Sequence, residues 1–268
     1  MRLLIFGPGY TASRLASRLT DARIVTVTRE NFRDNDRTNF EIAHATHILS
    51  SVPPGDTDPV LTAYAPMLAA SGAWLGYLSS SGVYGDTQGA WVDENAPTGT
   101  GRRSARAEAD AVWLALGARV FRLPGIYGPG RSALNRIPDF RVHAPGQVFS
   151  RIHVDDIIEG VVAGFNAPSG AYNLADDEPA AQADVIAYAC ALRGLTPPPL
   201  IPLEQADLSP PARAFYSENR RVANGKAKRI LNWRPRFATY RLGLRALNAI
   251  TSPAITSTAP ATASQDQT

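Results

Sequence analysis

The sequence has few of the residues that build disulfide or metal-held folds, and few lysines. Its 268 residues include one cysteine, Cys190, which excludes an internal disulfide and a cysteine zinc site. Lys226 and Lys228 are the only lysines, and the net charge of +3 comes from arginines that mostly alternate with acidic residues. We therefore expect no nucleic-acid partner. His44 and His47 lack a third ligand, so no metal site is predicted.

Long apolar runs are also absent. The stretch from Pro59 to Gly85 carries no charge, but Pro66, Gly72 and Gly76 interrupt it. It predicts a buried helix followed by a strand, not a membrane span. The apolar run from Leu3 to Phe6 is too short for the core of a signal peptide. We therefore expect a soluble, cytoplasmic protein without a membrane partner.

What the sequence does contain is a regular alternation of strand and helix patterns. Such alternation is typical of βαβ units and predicts an α/β fold with a doubly wound, Rossmann-type parallel sheet. The predicted strands are Leu3–Phe6, Ile24–Thr28, Thr46–Val52, Trp74–Ser79 and Arg119–Leu123, and the predicted helices between them are Thr11–Leu19, Pro59–Ala70 and Arg103–Leu116.

A glycine-rich turn, GPGYTA, follows the first predicted strand and opens the first helix. In this GxGxxA pattern Gly7 permits the tight turn, Gly9 lets the backbone approach a diphosphate, and Ala12 allows close helix packing. The positive end of the helix would face the diphosphate. We therefore predict a dinucleotide site to which Tyr10 and Thr11 also belong.

The end of the second predicted strand distinguishes between the two nicotinamide dinucleotides. An acidic residue there would bind the ribose 2′-hydroxyl of NAD and exclude the 2′-phosphate of NADP. Thr28 occupies that position, and the guanidinium of the following Arg29 can bind a phosphate and stack on adenine. The sequence favours NADP, and Glu30 leaves NAD as the alternative.

The chain divides by composition into three parts. We assign residues 1–165 to the NAD(P)-binding domain, with a loop insertion at about 128–147 rich in proline and glycine. Residues 166–250 are assigned to a small, discontinuous, substrate-side cap with returning elements. A strand at Val148–Val154 and helices at Asp156–Phe165 and Gln182–Leu192 are predicted in the second half of the chain. Residues 251–268 are dominated by Ser, Thr, Ala and Pro, which predicts a disordered tail.

Three later strings agree with the glycine motif. They are SSSGVYGD at residues 79–86, RLPGIYGPG at 122–130 and FSRIHVDD at 149–156, followed by LNWRP at 231–235. Together these strings resemble the extended short-chain dehydrogenase/reductase superfamily, in its NAD-dependent epimerase/dehydratase branch. The resemblance covers roughly residues 1–247.

The resemblance implies roles for individual residues. Ser80 matches the residue that hydrogen-bonds the reacting oxygen of a small-molecule substrate. Pro124 and Ile126 match the loop that reaches the nicotinamide. Ser51 and Val52, at the end of the third predicted strand, belong to the cofactor site as well.

The superfamily's catalytic Tyr and Lys, which three residues separate, are absent. Matching the family's helix at Glu108 places Thr100 at the position of the Tyr and Ser104 at that of the Lys. A threonine hydroxyl cannot replace a phenol whose pKa a neighbouring lysine lowers. The chain thus resembles atypical subgroups that keep the cofactor fold and lack the YxxxK pair. Tyr84 is kept as a catalytic candidate, with aromatic packing as the alternative.

Several other residues near the predicted site have two interpretations. His153 is expected to order the Asp155–Asp156 turn rather than to exchange protons. The arginines that follow the nicotinamide loop or open the Arg103–Leu116 helix are candidates for binding an anionic group, with surface ion pairs as the alternative. These arginines are Arg102, Arg103, Arg131, Arg136, Arg141 and Arg151.

Two functions follow from these observations. One is an NADP-dependent oxidoreductase or epimerase/dehydratase-like enzyme acting on an anionic small molecule. The other is a catalytically silent NADP(H)-binding sensor, which the missing Tyr–Lys pair favours. The superfamily resemblance also makes a homodimer a candidate assembly.

Overall fold

The computed structural model of the chain describes residues 1–102 and 104–251. Predictions for Arg103 and for the tail lie outside the described residues, except that residue 251 ends a helix. The strands are β1 (Arg2–Phe6), β2 (Arg23–Val27), β3 (His47–Ser50), β4 (Trp74–Ser80), β5 (Trp91–Val92), β6 (Arg119–Leu123), β7 (Gly125–Tyr127), β8 (Arg141–His143), β9 (Arg151–His153), β10 (Gly170–Asn173), β11 (Leu200–Pro202) and β12 (Arg221–Val222). The α-helices are α1 (Tyr10–Arg18), α2 (Asn35–His44), α3 (Pro59–Ala70), α4 (Ser104–Ala115), α5 (Val154–Ala163), α6 (Gln182–Leu192), α7 (Pro210–Ala214), α8 (Gly225–Ile230) and α9 (Tyr240–Thr251).

Six of the strands form one parallel sheet in the order β2-β1-β3-β4-β6-β10. The chain runs from β1 outward to β2 and then returns to the other side of β1 as β3. The connections therefore change direction around β1, and such a switch point opens a crevice at the carboxyl ends of the strands. The predicted Rossmann-type α/β class is confirmed.

Both faces of the sheet are covered by helices. Successive residues of a strand point to opposite faces, so Leu3 and Ile5 join a buried cluster that includes residues of α1 and α5. Leu4 and Phe6 join a second cluster, which includes residues of α2, α3 and α4. Since the faces are filled, the crevice at the carboxyl ends is where a ligand can reach the sheet.

Among the elements that differ from the sequence predictions are α2, β9 and β10. No helix is predicted at α2, because its segment is mostly polar; the Asp34 carboxylate caps it by accepting from the Arg37 amide (3.2 Å). The strand predicted at Val148–Val154 is reduced to β9, because His153 caps α5 and the helix begins at the next residue. Strand β10 lies in the region assigned to the cap, yet it pairs with β6 in the central sheet.

The remaining strands pair two by two outside the central sheet. Strand β7 pairs with β9, β5 with β12, and β8 with β11. A third buried cluster joins α6 and α9 to β7 through Val185, Leu244 and Tyr127. These pairings connect segments that are far apart in the sequence and bring the cap residues to the carboxyl ends of the sheet.

Within the described ranges, no helix has the length and apolar character needed to cross a membrane. The same ranges contain no group of three or more His, Cys, Asp or Glu side chains arranged to hold a metal ion. Cys190 is a buried free thiol in α6.

Candidate functional site

The turn after β1 requires glycine at its first position. Gly7 has a φ of +72°, in the left-handed region. Its amide donates to the carbonyl oxygen of Val27 at 2.9 Å, and its carbonyl oxygen accepts from the Gly9 amide at 2.7 Å. A Cβ at Gly7 would lie 2.8 Å from Cγ2 of Val52. Both the conformation and the contact with Val52 therefore exclude a side chain at this position.

Helix α1 begins with amide groups that no side chain caps. Gly9 is its N-cap residue, and the Ser13 amide is the donor that bonds to the Gly9 carbonyl, at 2.8 Å. The first amides of a helix lack partners within the helix, and its dipole makes this end positive. A Cβ at Gly9 would lie 4.0 Å from the nearest heavy atom, so the space in front of the turn is open. This arrangement suits a diphosphate.

The segment after β2 leaves Arg29 free. The Thr28 hydroxyl donates to the Glu30 carboxylate, and this hydrogen bond is the main cause that lowers the pKa of Glu30. The Thr28 amide donates to Oδ1 of Asn31 at 2.7 Å, which closes the turn. Arg29 is exposed, and its guanidinium has no hydrogen-bond or ion-pair partner among residues 1–102 and 104–251. The turn therefore holds the Glu30 carboxylate in a hydrogen bond and leaves the Arg29 side chain exposed to solvent.

A cleft of about 930 Å³ extends from the α1 turn past the ends of β4 and β6 to the cap. Most of the predicted site residues line it: Gly9, Tyr10, Thr11, Ser51, Ser80, Pro124 and Ile126. Gly7, Ala12, Val52, Arg29 and Tyr84 are not among the residues that line it. Ala12 is fully buried beneath the turn in the cluster that contains Leu3 and Ile5, as close packing of α1 on the sheet requires.

Ser80 stands at the end of β4, on the wall of the cleft. Its Oγ accepts a hydrogen bond from the Gly82 amide at 3.1 Å and caps the 3-10 turn Ser81–Tyr84. Because the hydroxyl acts as an acceptor there, its own proton is available to a ligand in the cleft. A serine in this state can donate a hydrogen bond, and among the described residues no base accepts its proton.

Tyr84 is buried below the cleft rather than exposed in it. Its hydroxyl donates to Oδ1 of Asn173 at 2.7 Å and accepts from Nη1 of Arg122 at 3.0 Å. Burial raises the pKa of Tyr84 to about 12. Arg122 forms a buried ion pair with Asp110 at 2.7 Å, and the Ser79 hydroxyl donates to the same carboxylate at 2.6 Å. This network holds β4, β6, β10 and α4 together, and we assign Tyr84 to it instead of to catalysis.

Exposed residues occupy the two positions at which the family resemblance predicts a tyrosine and a lysine. The Thr100 hydroxyl donates to the carbonyl oxygen of Tyr84 at 3.1 Å, and Ser104 is the first residue of α4. The only two lysines of the chain, Lys226 and Lys228, donate to groups of β10 and the loop after it. Lys226 lies over the Tyr172 ring, 5.0 Å from its centroid, but neither residue lines the cleft. No lysine of the described part of the chain lines the cleft, so no tyrosine–lysine pair faces it.

The charge of the cleft is strongly positive. Among the described residues, five arginines and one glutamate line it, and no lysine, histidine or aspartate does. Arg102, Arg131 and Arg151 were predicted candidates, whereas Arg136 does not line the cleft and Arg141 lines a separate cavity of about 410 Å³. The residues that the sequence interpretation missed are Arg106, Tyr216, Glu218 and Arg220.

Arg106 had a local signal, because it lies four residues after Arg102 and can share the same side of a helix start. Tyr216, Glu218 and Arg220 had none, because they come from the cap. Glu218 is buried and accepts from the Arg102 amide at 3.1 Å and from Nη1 of Arg220 at 3.0 Å. The cap therefore contributes both charge and an aromatic ring to the cleft.

Two buried titratable groups near β9 and β10 have strongly shifted pKa values. The Asp155 amide donates to Nδ1 of His153 at 3.2 Å, which confirms that His153 orders this turn, and burial lowers the His153 pKa to about 4. Burial raises the pKa of Asp176, which is 1% exposed, to about 8. Its Oδ1 accepts from the Glu178 amide, while its Oδ2 has no partner in the described ranges. With its pKa lowered to about 4, the His153 imidazole is neutral at pH 7.

Comparison with known proteins finds similar chains over nearly the whole length, among them one with substantial sequence identity. A functionally unknown conserved protein from Silicibacter pomeroyi DSS is 42% identical, with a TM-score of 0.85, covering 94% of this chain and 99% of that one. No family model matches the sequence. A curated protein from Streptomyces sp, 3-diazoavenalumate denitrifying reductase, is 28% identical over 144 residues, which is 48% of this chain and 46% of the reductase. The match thus spans about half the length of that relative.

More distant solved structures share the fold. The human epimerase family protein SDR39U1 (isoform 2), solved with NADPH, is 16% identical with a TM-score of 0.70, covering 93% of this chain and 99% of that one. A dTDP-glucose 4,6-dehydratase from Bacillus anthracis, solved with NAD, is 14% identical with a TM-score of 0.73, covering 93% and 96%. The architecture is therefore that of the epimerase/dehydratase-type enzymes that the motifs resemble.

Proposed function

The chain belongs to the same family as the functionally unknown conserved protein from Silicibacter pomeroyi, and from this premise we propose that it binds NADP(H) and reduces a small organic molecule. The observation that carries the proposal is the uncapped start of α1. It lies at the switch point of the sheet, behind Gly9, and opens into a cleft of about 930 Å³. Clefts of this size and position are typical of small-molecule and cofactor sites.

The residues of the turn fit a dinucleotide diphosphate. Gly7 forms a turn that a Cβ would disrupt, and Gly9 leaves open space in front of the helix amides. The diphosphate would accept hydrogen bonds from the amides of Tyr10 and Thr11, while Pro124 and Ile126 line the nicotinamide side of the cleft. The bound cofactor would supply a hydride to the substrate.

The preference for NADP rests on the segment after β2. The Glu30 carboxylate accepts a hydrogen bond from the Thr28 hydroxyl. A carboxylate held in this way is less available to bind the ribose 2′-hydroxyl of NAD. Arg29 is exposed and makes no direct hydrogen bond or ion pair among the described residues, although its charge acts on the neighbouring Glu30. Its guanidinium can donate two parallel hydrogen bonds to a 2′-phosphate, and NAD has no such group.

A reductase is the activity that these residues support best. The curated Streptomyces relative is a reductase, and Ser80 offers a hydroxyl proton to an acceptor atom of the substrate. Ser80 can stabilise developing charge, but it cannot supply the proton that a lysine-activated phenol provides. We infer that this proton comes from solvent or from the substrate. The site would then favour substrates that accept the hydride without receiving a proton from the protein in the same step.

Calorimetric titration of the purified protein with NADPH and NADH tests the cofactor assignment. We expect tighter binding of NADPH, and we expect Arg29→Ala to remove the difference while Arg37→Ala, an exposed arginine of α2, preserves it. Equal binding of both cofactors to the wild type would reject the NADP preference. The absence of heat with any pyridine nucleotide would reject the dinucleotide site itself.

The alternative function is a silent NADP(H) sensor. It is favoured by Thr100 and Ser104, which carry neither a phenol nor an amine at the catalytic positions. Oxidation of NADPH in the presence of a panel of aldehydes, ketones, diazo compounds and nucleotide sugars separates the two functions. Tight NADPH binding without turnover of any panel member would support the sensor.

A further inference from the structure

The cap end of the cleft contains two arginines whose guanidinium groups are only partly used. We propose that Arg102 and Arg106 bind the carboxylate of a small planar acid, an aromatic or conjugated carboxylate, which is the substrate or a ligand that competes with it. This inference rests on the proposed function, because it assumes that NADP(H) takes the end of the cleft nearest α1.

The other cleft arginines are engaged elsewhere. Arg151 donates through Nη1 to the carbonyl oxygens of Phe149 and Ala180 and through Nη2 to Gln182. Arg220 donates through Nη1 to the carbonyl oxygen of Gly85 and, at 3.0 Å, to Glu218. This ion pair is closer than the 3.7 Å between Arg102 and the same carboxylate, so Glu218 balances mainly the charge of Arg220. Arg131 lies over the ring of Tyr10, 5.6 Å from its centroid, at the dinucleotide end. These contacts leave Arg102 and Arg106 as the cations for a second ligand.

Arg106 is held at the base of the cleft by one of its nitrogens. Its Nη1 donates to the Tyr77 hydroxyl at 2.8 Å and to the carbonyl oxygen of Leu78 at 3.3 Å. Its Nε and Nη2 have no hydrogen-bond partner in the described ranges. The side chain is half-buried and reaches the cleft beside Ser79 and Ser80. An anchored guanidinium with unused donors is suited to a bidentate acceptor.

Arg102 is positioned by the cap. Its Nε lies 3.7 Å from Oε2 of Glu218, and its guanidinium lies 5.4 Å from the centroid of the Phe215 ring. Glu218 is also paired with Arg220, so its single negative charge is shared by two arginines. Both terminal nitrogens of Arg102 therefore lack a hydrogen-bond partner in the described part of the chain. A ligand carboxylate placed between Arg102 and Arg106 would balance the remaining positive charge.

The same end of the cleft has an apolar, aromatic wall. Phe149 and Tyr216 meet edge to face with centroids 5.5 Å apart, and Phe215 precedes Tyr216 in the same 3-10 turn. Leu208 and Ala212 extend this surface. Aromatic rings in such a wall bind flat apolar groups with favourable geometry. The room left beside a dinucleotide in a cleft of about 930 Å³ suits a small acid better than a nucleotide sugar.

Calorimetry with three small-molecule probes tests this site on the full-length protein saturated with NADP⁺. The probes are cinnamate, cinnamamide and cyclohexanecarboxylate. We expect cinnamate to bind, and cinnamamide to bind at least about tenfold more weakly because it lacks the charge-assisted contacts. Cyclohexanecarboxylate should also bind more weakly than cinnamate, because it cannot lie flat against the aromatic wall.

Variants locate the site. Arg102→Gln and Arg106→Gln should each weaken cinnamate binding at least about tenfold, whereas Arg136→Gln, an exposed arginine outside the cleft, should leave it unchanged. Each variant is checked for its melting temperature and for NADP⁺ binding. Arg106 also donates hydrogen bonds to Tyr77 and Leu78 of β4. If Arg106→Gln does not fold for this reason, cinnamate binding by Arg102→Gln alone decides whether the arginine site exists.

Three outcomes overturn the proposal: no cinnamate binding, equal binding of cinnamamide, or cinnamate binding that both arginine variants leave unchanged. Equal binding of cyclohexanecarboxylate overturns the planar class of ligand. If the protein binds no NADP⁺, the proposed function fails. Titration of the cofactor-free protein with cinnamate then still decides whether the arginine site exists.

Discussion

Replacing Gly9 with alanine should weaken cofactor binding while leaving the stability of the fold almost unchanged. Gly9 has a φ of −79° and a ψ of −169°, which alanine adopts without strain. The nearest heavy atom to an added Cβ is the Gly7 carbonyl oxygen, 4.0 Å away. Nothing in the described part of the protein requires glycine here, so only an approaching ligand would meet the methyl group.

Two small effects on the free energy of unfolding oppose each other at Gly9. Alanine reduces the freedom of the unfolded chain, which stabilises the variant by about 0.4–1 kcal/mol. Alanine is also a poorer N-cap residue than glycine, by an amount on the order of 0.5–1 kcal/mol. The net change should therefore stay within about 1 kcal/mol. Displacing the diphosphate from one amide of α1 would cost about 1.5–3 kcal/mol, which is roughly 10- to 100-fold in affinity.

Urea unfolding and calorimetric titration with NADPH measure the two quantities on the same samples. Gly7→Ala is the matched control, because its φ of +72° and its approach to Val52 make glycine structurally necessary. That variant should lose about 1–3 kcal/mol of stability. If Gly9→Ala keeps both its stability and its NADPH affinity, the diphosphate does not lie against this turn.

Three further changes test the site and its support. Asp110→Ala leaves the buried Arg122 without its partner and should lower the free energy of unfolding by about 3–5 kcal/mol; a urea midpoint close to that of the wild type would contradict this. Ser80→Ala should preserve NADPH affinity, because we assign the hydroxyl to the substrate, and a large loss in titration would make Ser80 a cofactor contact. The raised pKa of Asp176, about 8, means that the wild type loses stability as pH rises from about 4 through 8. Asp176→Asn should therefore be more stable than the wild type at pH 8 and should lose this advantage by pH 4 in a urea series; a constant difference would show that the carboxyl does not titrate in this range.

Much of the fold and of the cofactor turn could be predicted from local patterns. The alternation of apolar runs indicated the parallel sheet, and the spacing of Gly7, Gly9 and Ala12 indicated the strand–turn–helix that starts it. These predictions succeed because turn conformation and side-chain periodicity depend on neighbouring residues. Helix α2 and strand β10 were not predicted, because the helix is mostly polar and the strand, GAYN, has only two apolar residues between a glycine and an asparagine.

The sequence by itself determined the class of the fold and the glycine turn, and it holds Thr100 and Ser104 at the two positions where the family resemblance predicts a tyrosine and a lysine. Only the tertiary structure decided that Tyr84 lies in a buried network with Asn173, 89 residues away, and that Glu218 meets Arg102 across 116 residues. The physical reason is that a side chain's exposure and charge partners depend on long-range packing. Residue type and local spacing carry no information about which distant segments meet.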